Sequence, residues 1–121
     1  MKRDMDLVRK ILLQTEEHEH GYAPQSLTIE DHSEDAVGFH IYLMGEAALL
    51  RVADVTSFGC KSPRAIPLNI TWAGYEFLDA AREPTVWEAA KKKVSSAVVS
   101  VGFEVMKLVL AAIAKEKLGL G

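Results

Sequence analysis

The chain is 121 residues long, 49% hydrophobic and 26% charged, with a net charge of −3. That length holds one ordinary domain, and that balance is a folded core under a solvated surface, which excludes a disordered chain. No apolar run reaches bilayer-spanning length, and the acidic balance argues against a general nucleic-acid binder, whose domain carries a basic footprint.

The negative charge is concentrated early: residues 1–60 carry five Lys/Arg against eleven Asp/Glu, residues 61–121 nine against six. Cys60, the single cysteine, has no internal disulfide partner and is read as a small loop residue beside Gly59. The stretch Met1 to Asp6 lacks the apolar segment of a signal peptide, so the reading is cytoplasmic.

From Asp4 the spacing is helical. Leu7 with Ile11, and Val8 with Leu12, sit four apart, while Arg9, Lys10, Gln14 and Glu17 fall on the other side. Asp4 is read as the N-cap, and Gly21 and Pro24 stop a helix placed at residues 4–19. Gln25 to Ile29 alternates polar with apolar as a short half-buried strand, and Glu30-Asp31-His32 is a turn. Ser33 caps a second helix to Ala47, with Ala36, His40, Leu43, Met44 and Ala47 on one face and Phe39, Tyr42 and Glu46 toward another.

Leu49 to Val55 reads as a strand, Thr56 to Arg64 as a breaker-rich loop, and Ala65 to Ile70 as a strand with Ile66, Leu68 and Ile70 on one face. Two strands joined directly after a helix make a hairpin in the position of a wing. Thr71 caps a third helix through Ala81 carrying Trp72, Tyr75 and Leu78, which Glu83-Pro84 breaks. Thr85-Val86-Trp87-Glu88 has the spacing of a capping box for a helix reaching about Val94. A last helix spans Ser100 to Leu118. The expected class is α+β, mostly helical. A winged helix-turn-helix-like core with a small antiparallel sheet occupies residues 1–83, and a helical C-terminal extension, residues 84–121, packs on it as one structural domain.

Three stretches carry a family resemblance: Met1-Lys2-Arg3-Asp4-Met5-Asp6-Leu7-Val8-Arg9-Lys10-Ile11-Leu12-Leu13, Gly38-Phe39-His40-Ile41-Tyr42-Leu43-Met44-Gly45-Glu46-Ala47, and Leu68-Asn69-Ile70-Thr71-Trp72-Ala73-Gly74-Tyr75-Glu76-Phe77-Leu78. Together they resemble a bacterial and prophage domain family of unknown function, similar to YjcQ-type winged-helix proteins. The resemblance implies a winged-helix fold, frequent carriage by phage or prophage, and no assigned catalytic residue. In the broader winged-helix pattern the helix before the wing ends Glu-Ala-Gly-Leu-Ile. Here Glu46-Ala47-Ala48-Leu49-Leu50 puts Ala48 where glycine would take a left-handed cap easily, so a less sharp helix end is expected.

Glu17-His18-Glu19-His20 offers metal-ligand residue types, with His32 and His40 downstream. His-x-His lacks the i, i+4 spacing that converges ligands on one helix face, so no metal site is expected. His40 falls on an apolar stripe and is read as a hydrogen-bonded core histidine. There is no Gly-x-Ser-x-Gly elbow, phosphate-cradling loop or His-Glu-x-x-His, so neither enzyme activity nor a cofactor is expected.

A DNA-linked transcriptional regulator is the default for the fold class. The helix in the recognition position, Ser33 to Ala47, has no Lys, Arg, Asn or Gln to meet base edges. It offers Glu34, Asp35 and Glu46, which phosphates would repel. The candidate DNA contacts are therefore Lys2 and Arg3 at the N-terminus and Arg51, Lys61 and Arg64 on or beside the wing; Lys91-Lys92-Lys93 on the penultimate helix are further positive groups. The alternative is a protein-interaction module presenting Glu34, Asp35, Phe39, Tyr42 and Glu46 to a protein partner. The last helix is apolar on nearly every side, through Val98, Val101, Phe103, Val105, Met106 and Val109. It needs cover on two faces, and a second copy would supply it as a homodimer.

Overall fold

The computed structural model describes residues 1–18, 21, 27–95 and 103–117. They form α1 (Met5–Glu16), α2 (Glu34–Glu46), β1 (Leu50–Asp54), β2 (Ala65–Ile70), α3 (Trp72–Ala81), α4 (Pro84–Ser95) and α5 (Phe103–Lys117). The architecture is mixed α+β and mostly helical, with one two-stranded antiparallel sheet among the described residues. No described helix is long and apolar enough to cross a membrane. The chain divides into two compact units, Met1–Glu76 and Phe77–Gly121.

In the first unit α1 begins where its sequence says it should. The Asp4 carboxylate accepts from the Asp6 and Leu7 amides, satisfying two orphan donors of the first turn. Leu7, Val8, Ile11 and Leu12 are buried, and the helix stops at Glu16, short of the expected residue 19. The Asp4 amide donates to Nε2 of His40 at 2.9 Å, while the Nδ1 side of the ring lies 2.8 Å from the Ala36 carbonyl oxygen. A nitrogen facing an N–H must accept, and one facing a carbonyl must donate, so the ring is the Nδ1–H tautomer. At 2% exposure, His40 is the hydrogen-bonded core histidine that its place on the stripe implies.

Ser33 caps α2 by accepting from the Ala36 amide. The buried face is Val37, Gly38, His40, Ile41 and Met44. It is rotated from the expected stripe, since Ala47 is exposed and Leu43 half-buried. The helix also ends sharply, contrary to expectation. Ala48 takes φ 61°, with its amide on the Gly45 carbonyl and the Leu49 amide on the Met44 carbonyl. Those two bonds are the paired closure of a Schellman end, made here on alanine at a cost in backbone strain.

β1 and β2 pair from Leu50–Ile70 to Asp54–Ala65, with a bulge opposite Arg51 and Val52. The bulge resets the alternation, so Ala65, Pro67 and Ile70 point inward while Leu68 is exposed. The expected common face for Ile66, Leu68 and Ile70 is corrected accordingly. The Val55 amide bonds the Arg64 carbonyl, so pairs alternate from there and Pro67 turns its missing N–H away from β1.

That side of β2 thus offers a poor donor row, and residues 27–29 form no strand, although Leu27 and Ile29 are buried as the alternation implied. Instead the Thr28 carbonyl accepts from the Gln14 side chain. Gln25 and Ser26 lie outside the described residues. The expected turn is present, with Asp31 at φ 68° and the His32 amide on the Ile29 carbonyl.

Thr71 joins α2's end to α3's start. Its amide bonds the Leu49 carbonyl, its hydroxyl donates to the Ala48 carbonyl, and the same oxygen accepts from the Gly74 amide. Gly74 is obligatory for this approach, because a Cβ there would collide with the Leu49 carbonyl oxygen. Trp72 is 82% exposed and Tyr75 is exposed too.

In the second unit Phe77, Leu78 and Ala81 are buried, as are Val86, Trp87 and Ala90 of α4. The Phe77 and Trp87 rings meet edge to face at 6.2 Å. The expected capping box at Thr85–Glu88 is not the start of α4. Glu83 caps the helix, its carboxylate accepting from the Thr85 and Val86 amides and the Thr85 hydroxyl. Pro84 occupies the first helical position, where a missing N–H costs nothing. Glu88, freed from capping, pairs with Lys91 at 3.1 Å. On α5, Met106, Leu110 and Ile113 are buried, while Val105 and Leu108 are exposed.

Candidate functional site

The start of α2 carries Glu34 and Asp35 in its first turn, where the helix dipole favours carboxylates and both side chains remain in water. The hairpin delivers a cation to them. Arg64 immediately precedes β2, and its guanidinium lies 3.7 Å from Glu34 and 4.0 Å from Asp35. Its stem crosses α2 at Gly38, where an added Cβ would come within 2.7 Å of the Arg64 Cγ. Glycine at that position is what lets the hairpin's arginine reach the helix start.

The hairpin loop is held by its own hydrogen bonds. The Arg64 amide donates to the Thr56 hydroxyl at 2.9 Å, and the Val55 amide to the Arg64 carbonyl at 2.9 Å. The Thr56 amide donates to the Asp54 carboxylate, and hydrogen bonding from Thr56 holds the Asp54 carboxyl below the usual carboxylate range. The Cys60 amide bonds the Ser57 carbonyl. Hydrogen bonding with Ser57 also lowers the Cys60 thiol below its ordinary value. Arg64 adds to that effect and Asp35 opposes it. At the loop's crest Phe58 is fully exposed.

A groove runs beside this surface, lined by Leu27, Thr28, Val37, Ile41, Ile66 and Pro67, with Glu34 and Arg64 among its walls. It is narrow, with room on the order of 80 Å³. Among the described residues, no group of three or more His, Cys, Asp or Glu side chains is arranged to hold a metal. His20 lies outside the described residues.

Of the five basic candidates, Arg64 alone is brought against the acidic candidates. Lys2, Arg3, Arg51 and Lys61 are exposed, the first two on the extended segment before α1, Arg51 on β1 opposite Asn69, and Lys61 in the hairpin loop. Arg64 differs from them in having its guanidinium beside Glu34 and Asp35. Among the partner-surface candidates, Glu46 sits about 18 Å along the helix from Glu34. Phe39 and Tyr42 are half-buried, Phe39 edge to face with His40 at 6.1 Å.

For the dimer candidates, Met106 is 3% exposed and belongs to the core of the second unit. Val109 is half-buried, Val105 exposed. Val98 and Val101 lie outside the described residues, as does the side chain of Phe103. Sequence reasoning passed over Phe58, the most exposed large apolar side chain of the surface. Its signal was a lone aromatic in a loop otherwise made of small and polar residues.

Comparison with known proteins places the chain in a family. A protein of Haemophilus influenzae (strain ATCC 51907 / DSM 11121 / KW20 / Rd), described as "Uncharacterized protein", is 32% identical over 121 residues, covering 98% of this chain and 99% of its own. No solved structure matches the chain. Residues 2–100 match the family described as "Hypothetical protein (DUF2513)", and the chain belongs to that family.

Proposed function

We propose that this chain is a non-enzymatic, winged-helix-type module that binds another protein through the start of α2 and the adjoining hairpin loop, rather than acting on DNA. The order helix, helix, hairpin, helix, with α2 directly before the hairpin, supports the fold half of the reading. One free cysteine fits a reducing, cytoplasmic setting.

The observation that carries the reading is Arg64 turned onto Glu34 and Asp35. In a winged-helix contact with DNA, the helix before the wing enters the groove and wing cations meet phosphates. Here that helix leads with carboxylates, and Arg64, one of the wing's few cations, lies beside them. An approach to phosphate through the first turn of α2 or the hairpin loop would meet repulsion from Glu34, Asp35 and Asp54.

The test is fluorescence anisotropy on labelled duplex DNA across salt, for the wild type and an Arg51→Glu, Lys61→Glu double variant. The expected result is no salt-sensitive binding by either. Salt-dependent binding by the wild type that the double variant loses would establish the runner-up, a DNA-linked regulator, in its place.

Exposure of Val105 and Leu108 on α5, opposite its buried Met106 and Leu110, favours a second proposal: the chain pairs with its own copy through that face.

A further inference from the structure

We propose that Phe58 is the anchor of this surface, entering an apolar pocket on a protein partner whose rim carries lysine or arginine. The proposal deepens the protein-binding reading above and rests on it. A phenylalanine left wholly in water forgoes its burial free energy, which leaves that free energy available to an interface. Phe58 is held out by a loop closed at both ends: Val55 and Thr56 clasp Arg64, and Cys60 closes onto Ser57. An aromatic on a fixed turn loses little freedom on docking, which is the property of an interface anchor.

The occupant follows from charge. Among the described residues, Glu34, Asp35 and Asp54 are exposed around the loop's base, three carboxylates against the cations Lys61 and Arg64, the latter beside Glu34 and Asp35. Those carboxylates disfavour phosphate backbones and anionic bilayers, and one ring buries too little to hold a lipid surface. They disfavour the same face of a second copy for the same reason. A basic-rimmed protein pocket satisfies both the ring and the carboxylates.

The test places a benzophenone photo-cross-linking amino acid at position 58, and separately at exposed Lys10 on α1, in full-length chain expressed in its native cells. Support requires one discrete protein adduct from position 58 and none like it from position 10. The cross-linked peptide must lie in an apolar pocket flanked by Lys or Arg. The purified cross-linked protein must also bind Phe58→Ser roughly tenfold or more weakly than wild type. An unchanged melting temperature for Phe58→Ser excludes a folding effect.

Adducts to lipid, to nucleic acid or to another copy, or no adduct, overturn the proposal. If the cross-linked protein binds wild type and Phe58→Ser equally but rejects Glu34→Lys with Asp35→Lys, the anchor fails while the protein-binding reading survives. Duplex DNA binding in the anisotropy experiment sinks the reading itself.

Discussion

Ala48 shows how one residue can carry strain that a helix end requires. Its φ of 61° is where an L side chain is disfavoured by about 1–2 kcal/mol, yet the position must close two carbonyls of α2. Ala48→Gly removes the clash and adds unfolded-chain entropy worth about 0.4–1 kcal/mol. The expected net effect is stabilisation of roughly 0.5–1 kcal/mol, read as a higher urea midpoint at unchanged slope. A lower midpoint would mean that the left-handed cap is not strained.

Cys60 makes the second residue-scale case. Ser57 holds its thiol below the ordinary value, so thiolate persists to lower pH than for a free cysteine. Removing the hydroxyl with Ser57→Ala takes away the largest cause, and the pH profile of iodoacetamide alkylation should move upward. A profile that stays put would refute the Ser57 contact.

Among the elements, the junction from α2 to α3 is the most determined feature, and Thr71 is its pivot. Thr71→Val keeps the shape and deletes a donor to Ala48 and an acceptor for Gly74. The cost expected is about 1–2 kcal/mol in thermal or urea unfolding, largely restored by Thr71→Ser. Equal losses for Val and Ser would assign the effect to packing of the methyl group instead.

This junction was legible in sequence as a cap, since threonine before a helical pattern has few other uses. The helix starts at Asp4 and Ser33, and the two strands, were legible for similar local reasons. What was hidden depended on neighbours. The bulge that exposes Leu68 is set by pairing across the hairpin, and the loss of strand character at Leu27 to Ile29 goes with Pro67 on the facing edge. The Glu83 cap was hidden because Thr85-x-x-Glu88 has the right spacing two residues late.

The candidate site was half legible: its carboxylates and its arginine were each identified, in opposite roles. That they meet follows from glycine at Gly38, whose missing side chain gives the Arg64 stem its path, and no periodicity encodes that.

At the scale of the molecule, the question is whether one copy is sufficient to cover its apolar surface. A surface helix in a monomer turns one stripe inward and a polar back to water. α5 buries Met106, Leu110 and Ile113 and still leaves Leu108 71% exposed, with Val105 exposed beside it. The two faces separate two kinds of failure. Met106→Glu puts a charge into the core of the second unit and should unfold it, because an unpaired buried carboxylate costs several kcal/mol.

Leu108→Glu puts the same charge in water and should leave the melting curve of a dilute sample unmoved. If α5 pairs with its own copy, sedimentation should show a dimer for wild type at micromolar concentration and a monomer for Leu108→Glu. The pairing would then weaken by roughly tenfold or more, as the loss of a central apolar anchor requires. A wild-type monomer throughout that range would leave α5's outer face as ordinary exposed apolar surface, of the kind every soluble protein retains.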